Sequence, residues 1–173
     1  MPVPIKAQDV LVALKLALLD GWPGSYAALA KEVGLSASEA HAAMRRLEEA
    51  RLLEPVEKRV RRSALRNFLV HGLPYAFAAR TKEMTRGIPT AWAAPAFSNE
   101  ITSGDQLPPV WPDPQGRVQG LAVSPLYSSS PRAAEKDAKL YALLAAVDSL
   151  RLGRARERAA AEKKIDELLP IHG

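Results

Sequence analysis

The three histidines, His41, His71 and His172, are the side chains of this sequence best suited to proton transfer near neutral pH. Each stands apart from the carboxylates and nucleophiles that would build a catalytic unit around it. Ser98, Ser103 and Ser128–Ser130 likewise have no His/Asp arrangement that would activate a hydroxyl. No glycine-rich phosphate loop follows a strand, and no HExxH or paired-carboxylate motif occurs. Cysteine is absent, which excludes disulfides, thiolate metal sites and a cysteine nucleophile. The sequence therefore leads us to expect no catalytic residue, no metal and no cofactor. What it concentrates instead is positive charge. Residues 45–66 carry eight Lys/Arg against four Asp/Glu, in a chain of net charge +5. Arg45, Arg46, Lys58, Arg59, Arg61 and Arg62 form the centre of this run. The chemistry open to such a cluster is the neutralisation of phosphates, with double-stranded DNA as the expected partner.

The preceding residues supply the elements that would position this charge. Ser25 is a good N-cap for a helix whose apolar face is Leu29, Ala30 and Val33. Gly34 falls where that helix needs a left-handed residue to end. Leu35 plugs the corner, and Ser36 with Glu39 three residues later reads as a capping box opening a second helix. Ala40, Met44 and Leu47 recur at helical spacing and face inward. Ser36, Ser38, His41, Arg45 and Arg46 then lie on or near the outer face, with Ser25 and Tyr26 beside them at the start of the first helix. Ser38, His41 and Arg45 are the expected base-reading residues, and Arg46 the expected phosphate contact. From Arg51 to Arg62 a short apolar run passes into alternating charged and apolar positions, which predicts two short strands turning near Glu57–Lys58.

This block resembles the DNA-binding domain of MarR-like bacterial winged-helix regulators. The resemblance rests on Ala28–Ala30, Val33–Ser36, Met44–Ala50 and Leu52–Leu53, and spans roughly the first 70 residues. It implies a winged helix-turn-helix whose second helix enters a major groove. Arg51 departs from the pattern, since such families usually carry glycine before the wing strand. A second likeness, on Gly87–Pro95, Pro108–Pro114 and Val147–Arg158, is to MarR-like proteins encoded beside nucleotidyltransferases of the abortive-infection toxin class. It implies an antitoxin or autorepressor with a toxin protein as partner.

The rest of the chain predicts a mainly α protein with a small β-wing, a proline-rich extended arm and C-terminal helices. The expected division is residues 1–72 for the winged helix, 73–132 for the arm and 133–170 for a helical dimerisation region. Ala7–Leu19 reads as a helix too densely apolar for a surface position, ended by Gly21–Gly24, with Trp22 as a plug over the corner. Ser63–Gly72 reads as a helix capped by Ser63. Eight of the fourteen prolines lie between Pro89 and Pro131 and exclude long helices there. Val110, Trp111, Leu121 and Val123 flank Asp113–Gly116, which has the composition of a hairpin turn. Leu140, Leu143, Leu144, Val147 and Leu150 form a stripe at i, i+3, i+4, i+7 spacing. They continue toward Leu169 as one helix of about 35 residues or as two helices. The leading expectation places this stripe in a homodimer interface, and the alternative folds it back onto the chain's own core. No apolar run approaches the ~20 residues that span a bilayer, so no membrane association and a cytoplasmic location are expected. Two functions remain open: a sequence-specific DNA-binding repressor, or an antitoxin or protein-interaction module.

Overall fold

The computed structural model describes residues 4–101 and 104–171. Thr102, Ser103 and His172 lie outside the described residues. The chain is mainly helical with small β elements. Helix α1 (Ala7–Leu19) is followed by α2 (Tyr26–Val33) and α3 (Ala37–Glu49), then by a two-stranded ribbon of β1 (Leu53–Glu54) and β2 (Arg59–Val60). Helices α4 (Arg62–His71) and α5 (Leu73–Ala76) lead to β3 (Met84–Pro89), β4 (Pro109–Pro112) and β5 (Val118–Ala122). Helices α6 (Ser130–Glu135), α7 (Ala138–Leu152) and α8 (Ala155–Leu168) close the chain. Among the described residues no helix is long and apolar enough to cross a membrane.

The local rules explain most of these boundaries. Ser25 Oγ accepts from the Ala28 amide at 3.0 Å, and Gly34 closes α2 at φ 71°. Ser36 and Glu39 form the reciprocal capping box at the start of α3. After α3, Arg51 takes φ 63°, the left-handed conformation for which glycine is best suited. Helix α4 begins at Arg62 without a side-chain cap, so Ser63 lies inside its first turn and does not cap it.

One hydrophobic core draws on the N-terminal, middle and C-terminal segments alike. Nine successive residues of α1, Asp9–Ala17, are buried, because α2 and α3 cover one side and α7 another. Helix α7 is buried from Ala142 through Arg151. Leu140, Leu143, Leu144, Val147 and Leu150 are each at most 1% exposed within a single protomer. The stripe expected to form a dimer interface is therefore the central packing surface of the monomer, and no second copy can reach it. Gly153, at φ 81°, ends α7 and lets α8 fold back against it, so the C-terminal region is two helices.

The middle segment differs from a hairpin. The turn at Asp113–Gly116 forms, with the Gln115 amide donating to Asp113 Oδ1 at 2.8 Å. The flanking strands β4 and β5, however, run parallel to each other, and both pair antiparallel with β3. The three strands close into a miniature barrel. Gly87 and Gly120 permit this closure, since a Cβ there would lie 2.0 Å from the Trp111 carbonyl oxygen and 2.1 Å from that of Pro108. The barrel is tied to α7 through Asp148. Its Oδ2 accepts from Thr90 Oγ1 at 2.6 Å and Trp111 Nε1 at 2.8 Å, and its Oδ1 from Arg151 Nη1 at 2.8 Å.

A second ionic tie joins α1 to the start of α7. Lys15 Nζ, buried on α1, donates to Asp137 Oδ2 at 2.7 Å, while Asp137 Oδ1 caps α7 through the Lys139 and Leu140 amides. Burial alone would raise the Asp137 carboxyl, but the Lys15 ammonium and the helix amides outweigh it and hold the group below its ordinary range. A depressed folded-state value stabilises the fold at neutral pH. That contribution begins to fade near the unfolded value of about 3.9 and is lost as pH falls through the folded value. The acid limb of an unfolding titration should therefore be shallower in Asp137→Asn than in the parent. Identical limbs for the two proteins would show that Asp137 contributes nothing to acid sensitivity.

Candidate nucleic-acid interface

Helix α3 sorts its side chains by turn. Ala40, Ala43, Met44 and Leu47 are buried. Ser38, His41 and Arg45 are exposed and share one stripe, separated by three and four residues. The sequence assignment of these three to an outward face holds. Ser25 and Ser36 are also exposed, but their hydroxyls are occupied as helix caps. At the start of α3 the Ser36 backbone amide holds the Glu39 carboxyl below its ordinary range.

Arg46 is placed differently from expectation. It turns inward and grips Asp9, with Nε to Oδ2 at 2.7 Å and Nη2 to Oδ1 at 2.8 Å. Asp9 is fully buried at the first turn of α1 and also accepts from the Lys6 amide at 2.8 Å. A guanidinium matched in this bidentate way to a buried carboxylate is fixed in place. Arg46 is therefore a strut between α1 and α3 and not a phosphate contact. Arg62 is also drawn inward, donating to the carbonyls of Ala17 and Pro170 at 3.0 Å each. It joins the α1 end, α4 and the C-terminal segment, and it too is corrected from a phosphate contact to a structural link.

Lys58, Arg59 and Arg61 remain on the β1–β2 ribbon. The ribbon turn is braced by the Glu54 carboxylate, which accepts the amides of Val56 at 3.2 Å and Glu57 at 2.6 Å. Arg59 is exposed and lies 3.5 Å from Glu57 and 3.7 Å from Asp20, so local acids offset part of its charge. Arg61 is exposed. Lys58 sits in the left-handed region at φ 55°, with Nζ 5.4 Å from the centroid of the Trp22 ring.

Trp22 makes the connection that the sequence did not reveal. Its ring meets Tyr26 edge-on at 5.0 Å, and Tyr26 meets His41 edge-on at 4.7 Å. Lys58, Trp22, Tyr26 and His41 thus form a continuous row from the ribbon to the outer stripe of α3. Trp22 is half-buried against the core, as its expected corner position requires, and its ring also joins this row. The Trp-Pro-Gly sequence marked a turn but carried no indication of which rings it would meet. Tyr26 was named as a contact residue, and the row gives it a position between the two elements.

The surface is suited to noncovalent recognition of an anionic polymer, with hydrogen-bonding groups on a helix and cations on the adjoining ribbon. Among the described residues no group of His, Cys, Asp and Glu could hold a metal ion. No family model, curated protein or solved structure matches the chain.

Proposed function

We propose that the chain is a winged helix-turn-helix DNA-binding regulator, with α3 as its recognition helix and the β1–β2 ribbon as its wing. The observation that carries this reading is the exposed Ser38–His41–Arg45 stripe on a helix opened by a capping box, continued through Tyr26 and Trp22 to Lys58 on the ribbon. Helix α3 offers side chains to base edges, and Arg45 has the reach for the O6 and N7 acceptors of guanine. Lys58 and Arg61 lie where a wing meets the phosphate backbone. The inward Arg46 and Arg62 leave fewer phosphate contacts than the sequence count suggested, which predicts a modest salt dependence. A paired assembly on a palindrome would need a surface other than the α7 stripe, and the stoichiometry at saturation reads this directly.

The test is fluorescence anisotropy with the fragment upstream of the chain's own coding sequence and with a scrambled duplex, at two salt concentrations. The upstream fragment should bind more tightly, and Arg45→Ala should remove about 1–3 kcal/mol of that discrimination. Arg61→Ala should weaken both duplexes alike and lower the log–log salt slope by about one unit. Absence of binding to either duplex at low salt would refute the DNA-binding reading.

A further inference from the structure

The turn between α2 and α3 is met by Ser129, which lies 96 residues beyond Val33 and donates from Oγ to the Val33 carbonyl at 2.7 Å. Gly34 makes this approach possible, since a Cβ there would lie 2.9 Å from Ser129 Cβ. Helix α6 starts at the next residue and buries Ser130, Ala133 and Ala134. The Ser130 hydroxyl accepts the Tyr127 amide at 3.2 Å and fixes the entry into the helix. Arg132, Glu135 and Lys136 are left on the exposed side, at spacings of three and four. On the other side of the joint, Lys31 is exposed in the last turn of α2. None of Lys31, Arg132 and Lys136 makes an ion pair among the described residues. Two neighbouring acids are already engaged, because Asp137 and Glu32 reach the buried Lys15 ammonium at 2.7 and 3.4 Å. Exposed Glu135 offsets only part of the remaining positive charge.

What this cationic joint can hold depends on its position relative to the ribbon. Lys58 reaches the start of α2 through Trp22 and Tyr26, whereas Ser129 and α6 stand at its end. The eight residues of α2 separate the two sides by about 12 Å, at about 1.5 Å per residue. A major groove is about 12 Å wide, with a phosphate strand along each wall. In a helix-turn-helix complex the recognition helix lies in this groove and the helix before it crosses the backbone. With α2 laid across the groove, its two ends approach opposite walls. We infer that Lys31, Arg132 and Lys136 form a second phosphate clamp, which grips the strand across the major groove from the one met by the ribbon. The inference rests on α3 being the recognition helix. It gives α6 a place in the DNA interface although the chain reaches it long after the motif is complete. Ser129 fixes the joint before any ligand arrives, so little further ordering opposes the contact.

Ethylation interference on the end-labelled upstream duplex maps the phosphates that the full chain touches. The parent should give two clusters, on opposite strands across one major groove. Arg61→Ala should lose the first cluster. Arg132→Ala combined with Lys136→Ala should lose the second and leave the first in place, and Lys31→Ala should thin the second. Anisotropy titrations of the same duplex give the magnitude. Two phosphate contacts carry a log–log salt slope of about 1.8, so between about 50 and 200 mM salt the parent should lose about tenfold more affinity than the double variant. Both substituted side chains are exposed, and Arg132→Gln with Lys136→Gln keeps their length should the alanines disturb α6. A single cluster in the parent, or a second cluster that survives the double substitution, would overturn the inference and leave the DNA-binding reading standing. No binding of the parent to any duplex would remove both.

Discussion

Replacing Asp148 with alanine should lower the unfolding free energy by about 3–5 kcal/mol, the cost of stranding a buried charge. Trp111 Nε1 and Thr90 Oγ1 lose their acceptor, and Arg151 Nη1 loses its anionic partner. Arg151 is only 9% exposed and would keep just the Phe77 and Ser124 carbonyls, at 2.8 and 3.0 Å. Burial pushes the Asp148 carboxyl up from its ordinary value, while Arg151, Thr90 and Trp111 oppose that push. For a chain of this length the loss corresponds to a melting temperature lower by roughly 10 °C. Combining Asp148→Ala with Arg151→Ala should cost less than the two single losses added together, since the second substitution removes the stranded charge. Additive losses in urea unfolding would show that the two residues stabilise the fold independently.

The neighbouring arginines of α3 should separate cleanly. Arg46→Ala should cost about 3 kcal/mol of stability, because it leaves the fully buried Asp9 carboxylate with the Lys6 amide as its remaining hydrogen-bond partner among the described residues. Arg46→Lys should rescue only part of this, since an ammonium cannot reproduce the two parallel bonds of the guanidinium fork. Arg45→Ala, on the exposed side of the same turn, should stay within about 0.5 kcal/mol of the parent. Chemical unfolding and DNA titration on the same two variants give the comparison: stability falls for Arg46, and sequence discrimination falls for Arg45. If Arg46→Ala left stability intact and weakened DNA binding instead, the strut assignment would fail.

The sequence was most legible where a structural rule is local. The Ser36–Glu39 box, Gly34 at the end of α2 and the inward positions of α3 all depend on residues within four positions of one another. Arg46 was misread because its partner lies 37 residues earlier, and charge counting cannot tell a paired arginine from a solvated one. The α7 stripe was misread for a related reason. Apolar periodicity reports that a face will be covered, but not whether the cover is α1 of the same chain or a second copy. Strand β3 carries no strand signal in the sequence, since it contains Gly87 and Pro89, residue types depleted in strands. Their meaning emerges only from the close crossing of β3 with β4 and β5. The aromatic row was hidden for the same reason, since Trp22 meets Lys58 only once the ribbon has folded over it.

The burial of α1 beneath α7 also sets an order of events during synthesis. Asp9–Ala17 emerges from the ribosome before Asp137 and the helix that covers this segment, which arrive about 120 residues later. At typical elongation rates of about 5–20 residues per second, the first helix waits on the order of ten seconds for its cover. Pro170 completes the same enclosure through its carbonyl bond to Arg62, 108 residues further along the chain. A ribosome stalled before α7 would thus display a long apolar segment to solvent or to a chaperone. The first helix reaches its finished packing only after α7 has been made.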